Sequence, residues 1–258
     1  MSLKLWTNDI SKAYIGSTEV SKAYLGSTLV YSSIPPNWLL NNLVSYYKMD
    51  TNGSFPDAHW SNNWTINGAS FTTNGKINWA YDFDGVNDWI DTWASFNATW
   101  AFTISWYFKS SLTWWTTDKI FYYWNIDNSP NIYESIQLQI INSGKVEYID
   151  YDWVNTIITS SWTYTDNLYH SFMIIDNWTT VEVFIDNVSI WSWTSRKPLI
   201  TWTNLFLWKF WSNRWGISWD FFSGSIDEFW IWQTNLDTTR RNAWYNSWNW
   251  LSYDDFTT

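Results

Sequence analysis

Oxygen ligands are the chemistry this chain is best supplied with. Asp82, Asp84 and Asp88 stand around a turn at Gly85, and hard carboxylate oxygens on a bent loop suit calcium. The plainer reading has Asp82 on a solvated strand face and Asp84 capping the turn. A retaining glycosidase needs two carboxyl groups about 5–5.5 Å apart, and no glutamate here (Glu19, Glu134, Glu147, Glu182, Glu228) has an acid two residues later. Asp227 and Glu228 are adjacent, and on a regular strand adjacent side chains point to opposite faces. His170 falls in a strand, where a packed or surface imidazole is the commoner fate, and His59 sits in a polar loop with no serine partner in evidence. Trp89, Trp106 and Tyr107 could form an aromatic platform for a sugar ring, although alternating aromatics are more often core.

Composition narrows the classes further. Fourteen basic residues against 24 acidic ones give a net charge of −10, which argues against nucleic acid, because phosphate binding needs a basic footprint. The chain has no cysteine, so disulfides and thiolate metal sites are excluded. Its start shows no apolar run of a signal peptide, and no stretch approaches the roughly 18 apolar residues of a spanning helix.

The tryptophans are anomalous. There are 27 of them against nine glycines, and many occupy turn contexts: Asn63-Trp64-Thr65, Asn78-Trp79-Ala80, Asn177-Trp178-Thr179, Ser192-Trp193-Thr194 and Ser247-Trp248-Asn249-Trp250. Such positions call for glycine, which accepts positive φ at no steric cost. A source that reads the UGA codon as glycine explains the pattern, and Asn63-Trp64 then becomes an Asn-Gly hairpin turn. The alternative is a surface truly paved with rings. Trp89, Trp106, Trp232 and Trp244 fit strand alternation or a helical apolar face and read as genuine tryptophan; Trp124 fits neither group clearly.

The elements that must position these residues are strands. Ser11 to Val20 and Ser21 to Val30 are two copies of a ten-residue unit, each a short strand, a Gly-Ser turn and a second strand. Ile34-Pro35-Pro36-Asn37 reads as a linker, so residues 1–37 form an N-terminal segment and 38–258 the main domain. From there the period is two. Phe102, Ile104, Trp106 and Phe108 describe a half-buried strand. Ile136, Leu138 and Ile140 lead through Asn142-Ser143-Gly144 to Val146 and Tyr148 as a hairpin, and Val181, Val183 and Ile185 end at Asp186-Asn187. Short strands at this spacing predict an all-β, two-sheet antiparallel sandwich, with one helix over Asp237 to Tyr245.

Several stretches together resemble the laminin-G-like jelly rolls of the concanavalin A superfamily, of the laminin G 3 type. They are Leu43 to Asp50, Tyr81 to Ile90, Leu168 to Phe172 with Val181 to Asn187, and Gly224 to Trp232. Tyr245 to Leu251 joins them once Trp248 and Trp250 are read as glycine. The resemblance implies that the opening and closing strands approach each other, which would bring Asp227 to Asp82, Asp84 and Asp88 as a calcium ligand. It also implies a lectin-like module that binds a glycan or cell-surface polymer; some relatives on this scaffold are glycoside hydrolases, but the spacing of the acids favours a non-enzymatic module. The N-terminal repeat resembles segments of bacteriophage tail and fibre proteins, so a virion tail is the expected location, with the repeat docking to other virion proteins or supporting a homo-oligomer. A bacterial surface adhesin and a purely structural decoration domain are the other readings.

Overall fold

The ten-residue repeat folds as its sequence implies. In a computed structural model, each copy gives two short strands on either side of its Gly-Ser pair. β1 (Ala13–Ile15) pairs with β2 (Thr18–Val20), and β3 (Lys22–Leu25) with β4 (Thr28–Ser32), as separate two-stranded sheets. The structure describes residues 13–15, 18–20, 22–25, 28–32, 37–91, 100–111, 118–126, 133–152, 154–194, 205–207, 221–245 and 253.

A 3-10 turn over Asn37–Leu40 precedes fifteen further strands. They are β5 (Leu43–Tyr47), β6 (Thr65–Asn67), β7 (Ser70–Thr72), β8 (Ala80–Asp84), β9 (Trp89–Asp91), β10 (Phe102–Lys109), β11 (Asp118–Ile126) and β12 (Tyr133–Ile140). After them come β13 (Lys145–Asp152), β14 (Val154–Thr163), β15 (His170–Asp176), β16 (Thr180–Ile185), β17 (Val188–Thr194), β18 (Leu205–Leu207), β19 (Ser223–Trp232) and a helix, α1 (Thr238–Tyr245). One sheet runs β17-β16-β15-β10-β19-β8-β7, with β5 also paired to β19; the other runs β14-β13-β12-β11-β18-β9-β6. All pairings are antiparallel. The all-β sandwich, the β12–β13 hairpin and the single late helix match the sequence reading. No helix among the described residues is long and apolar enough to cross a membrane.

Period-two alternation explains where the core sits. Ile104, Trp106, Phe108, Phe172, Ile174, Val183, Ile226 and Phe229 of the eight-stranded sheet meet Ile90, Ile120, Leu138, Val146, Tyr148 and Ile158 of the other. β10 was expected to be half-buried, yet both its faces are covered. A second apolar cluster lies on the outer side, where Tyr107, Met173, Ile175, Phe184, Trp230 and Trp232 pack under Leu39 and the Trp244 and Tyr245 of α1. Thr103 and Ser105 keep the alternation of a surface strand yet are buried, because their hydroxyls donate to Thr234 O at 2.9 Å and Phe172 O at 2.8 Å.

Of the tryptophans in turn contexts the structure describes the side chains of three: Trp79 and Trp178 are exposed, Trp178 with a positive φ, and Trp64 is an exception. Trp106, Trp230, Trp232 and Trp244 are fully buried, and Trp232 Nε1 donates to Leu39 O at 2.8 Å. Trp178 takes φ +80, a left-handed conformation that costs an ordinary residue about 1–2 kcal/mol. Trp60, Trp79, Trp100, Trp162 and Trp178 are exposed. Trp64 is the exception, because it forms an isolated bridge with Phe55 and stacks on Tyr47 at 3.5 Å rather than making a hairpin turn. The side chains of Trp124 and Trp193, and the whole of Trp248 and Trp250, lie outside the described residues.

Candidate functional site

The four carboxylates expected to share a cation fall in two groups, Asp84 with Asp88 at the Gly85 turn and Asp82 and Asp227 on the paired strands β8 and β19. Asp84 caps its own turn, accepting from Val86 N at 2.8 Å and Asn87 N at 3.4 Å across Gly85 at φ +76. Asp88 folds back to accept from Asp84 N at 2.8 Å. Asp82 accepts instead from the Ser225 hydroxyl on the neighbouring strand. Asp227 lies under the loop before β8, taking Ile77 N at 2.8 Å. Strand pairing does bring β8 beside β19, as the resemblance implied, and Asp82 and Asp227 both act on Tyr169. Turn geometry nevertheless spends Asp84 and Asp88 on backbone donors, and among the described residues no group of three or more His, Cys, Asp or Glu is placed to hold a metal. These residues do not fit a calcium cage.

Asp227 and Glu228 correct the sequence reading. They share a face. The register between β10 and β19 shifts between Ser105 and Tyr107, where an extra residue of β19 is accommodated, and Glu228 takes φ +54 there. Ile226 and Phe229 keep to the inner core on either side. Between them Asp227 faces Tyr107 across the sheet, while the Tyr46 hydroxyl donates to Glu228 Oε2. Tyr46 and Tyr107 both belong to the outer cluster, so a bulge has turned two consecutive acids outward. Both are fully buried, and Asp227 Oδ1 and Glu228 Oε1 have no hydrogen-bond partner. Burial pushes both carboxyls well above the usual carboxylate range, and the Asp227 charge adds to the effect on Glu228.

The aromatic platform is also redistributed. Trp106 lies between the two sheets against Phe172 and Phe229, and Tyr107 stacks on Trp244 at 5.3 Å. Both are buried. Trp89, on β9, is half-buried.

A cleft does open elsewhere, at the shared edge of the two sheets where β14 meets the β16–β17 hairpin. It encloses ≈ 320 Å³ and is lined by Ser161, Trp162, Tyr164, Asp186, Val188 and Ser189, among others. The sequence positions these residues through two turns. Asp186 and Asn187, at φ +52 and +62, make the tight β16–β17 turn, a conformation these residue types tolerate better than most. Tyr164 is anchored through its N–H to Gly144 O at 2.8 Å.

His170 ties the cleft's floor together. Its Nδ1 lies 2.7 Å from Asp186 Oδ2 and its Nε2 3.0 Å from Asp166 Oδ1, while the Tyr164 ring meets it edge-on at 5.0 Å. Ser171 N completes the bracket by donating to Asp186 Oδ1 at 2.9 Å. Burial works against protonation of His170, but the two carboxylates outweigh it and raise its pKa. Asp166 is likewise lowered despite some burial, by the Leu168 N–H and by His170. With both ring nitrogens engaged, this imidazole is a structural tie and offers a substrate no free nitrogen. The four-residue spacing of Asp166 and His170 was the signal available beforehand; Asp186 and Tyr164 become neighbours only through the fold. His59 is placed apart from this cleft, against the Tyr253 hydroxyl at 3.0 Å.

No protein-family model matches the chain, and neither does any curated protein. Solved structures do. The chain is similar to the binding domain of Paraclostridial Mosquitocidal Protein 1, with a TM-score of 0.64 and 17% identity over 81% of this chain and 53% of that one. It is similar to domain 4 of AbnA, a GH43 extracellular arabinanase from Geobacillus stearothermophilus, in complex with arabinotriose, with a TM-score of 0.60 and 19% identity over 78% and 96%. Trypanosoma rangeli sialidase in complex with sialic acid gives a TM-score of 0.61 and 9% identity over 88% and 35%. The likeness is one of fold. The chain spans about half of the first of these proteins, about a third of the sialidase and nearly all of the arabinanase domain.

Proposed function

We propose that this chain is a non-enzymatic carbohydrate-binding module of the laminin-G-like kind, and that its ligand seats in the cleft between β14 and the β16–β17 hairpin. The observation that carries the reading is the cleft's lining. Aromatic and aliphatic surface from Tyr164, Trp162 and Val188 adjoins two serine hydroxyls and the Asp186 carboxylate. Sugars present the same mixture, with apolar C–H faces that rest on rings and hydroxyls that need a few fixed partners. One similar structure is the binding domain of a toxin and another, the arabinanase domain, was solved in complex with arabinotriose, which supports the reading.

The finer reading places the module on a phage tail or fibre, with the N-terminal hairpins as its tether and glycans of a cell surface as its target. Its support is the ten-residue repeat. The test is a glycan array on the full chain, repeated with Tyr164→Ala. Retention of a defined glycan class that falls at least tenfold in the variant is expected. A parent chain that retains no glycan would leave the sandwich as a structural decoration domain.

A further inference from the structure

We infer that the cleft selects uncharged sugars and turns away those carrying a carboxylate, such as sialic and uronic acids. The inference rests on the carbohydrate-binding reading and names the class of ligand. Among the described residues that line the cleft one side chain, Asp186, is charged, and none is lysine or arginine. Proteins hold a sugar carboxylate with a guanidinium, an ammonium or a set of free backbone N–H groups. Here the Asp186 N–H is already committed to Ser171 O at 3.0 Å, and the Ser171 N–H to Asp186 itself.

His170 and its two carboxylates are together negative in either state of the histidine: Asp186 and Asp166 flank the ring, so these three groups carry one net negative charge when the imidazole is protonated and two when it is neutral. Lys76, which feels the Asp186 charge, and Arg241, bonded to Asn187 at 2.8 Å, lie nearby but are not among the residues that line the cleft. The Asp186 side chain remains 16% exposed, enough to meet a ligand, and Asp166 is 48% exposed just beyond it. An incoming carboxylate would lose water and face like charge. A neutral sugar hydroxyl, by contrast, would donate to Asp186 in a charge-assisted hydrogen bond. The net charge of −10 further disfavours the approach of acidic glycans. Tyr164, Asp186, Ser161 and Ser189 carry this argument, and it stands with either tryptophan or glycine at position 162.

The experiment measures the full chain against matched glycan pairs that differ in one acid group: a sialylated lactosamine with its desialylated parent, and a galacturonan oligomer with the corresponding galactan. The neutral member of a pair should bind at least tenfold tighter. Because the discrimination is electrostatic and near the surface, the ratio should shrink in about 0.5 M salt, where the screening length is only a few ångströms. Asp166→Asn, which removes one of the two carboxylates beside His170, should narrow the ratio as well. Acidic members that bind as well as or better than their neutral partners overturn the selectivity while leaving the carbohydrate reading intact. Failure of every glycan to bind overturns both.

Discussion

The carboxylates of Asp227 and Glu228, consecutive in the chain, lie on one side of the sheet because Glu228 takes φ +54 in a bulge opposite β10. Each is fully buried and each keeps one oxygen without a hydrogen-bond partner. Desolvation of this kind costs about 1–3 kcal/mol per unsatisfied group, so the pair weighs against the stability of the sandwich whenever both are charged.

The pH dependence follows in sign. Both pKa values are raised in the folded state, so the folded chain holds these protons more tightly than the unfolded one. Stability then falls as pH rises from the ordinary carboxylate range, about 4, through the raised values. Glu228→Gln removes one charge and should melt above the parent at pH 8, with the difference closing toward pH 4. Differential scanning calorimetry across that range reads it, and a pH-independent difference would disprove the coupling.

His170 works in the same direction, through a cation gained rather than a charge avoided. Its raised pKa means that the bracket with Asp186 and Asp166 stabilises the fold fully below the unfolded value of about 6.5, and that this contribution is lost as pH rises through the folded value. His170→Gln should therefore cost more at pH 5.5 than at pH 9, by about 1–3 kcal/mol given hydrogen bonds to charged groups. Urea unfolding at the two pH values provides the comparison.

The tryptophans separate by environment. Trp178→Gly should stabilise the fold by about 1 kcal/mol, since φ +80 suits glycine. Trp106→Ala should destabilise it by about 3–5 kcal/mol through the cavity it leaves in the core. Mass spectrometry of the native protein decides the codon question directly: glycine masses at 79 and 178 are expected, and tryptophan at both would end the recoding explanation.

Gly68 should resist any side chain. At φ +87, a Cβ there would stand 1.9 Å from Asp88 Oδ1, so Gly68→Ala has to displace the carboxylate that holds the Asp84 turn. A clear drop in melting temperature is expected, whereas Gly53→Ala, with φ +78 but open space around it, should lose only the backbone term of about 1–2 kcal/mol.

Calcium provides a further check. Because Asp82, Asp84, Asp88 and Asp227 accept from separate donors, chelation should leave the melting midpoint where it was. A calcium-dependent rise would show that these acids rearrange around the ion.

Much of the fold was legible because a half-exposed strand writes its orientation as alternation. The hairpin through Gly144, the turn at Asp186-Asn187 and the helix ending at Tyr245 all announce themselves locally. β10 misled because its second face is covered by α1 and the 3-10 turn, remote elements that no window around Trp106 contains. The bulge at Glu228 misled more deeply, since one extra residue reverses the face assignment that period-two reasoning depends on. The cleft was nearly illegible. Tyr164 and Asp186 come from different sheets, and only the meeting of two sheet edges makes them neighbours.

The place of β19 has a consequence for synthesis. This strand pairs with β5, β8 and β10, yet at residues 223–232 it is the last of the sandwich's described strands to be synthesised. Until it arrives, the eight-stranded sheet is missing its middle, and three earlier strands present open, largely apolar edges. Long-range pairing of this kind folds slowly and exposes sticky intermediates. Nascent chains halted before residue 223 should therefore be held by chaperones or aggregate, and the sandwich should close in a late step, driven from its C-terminal side.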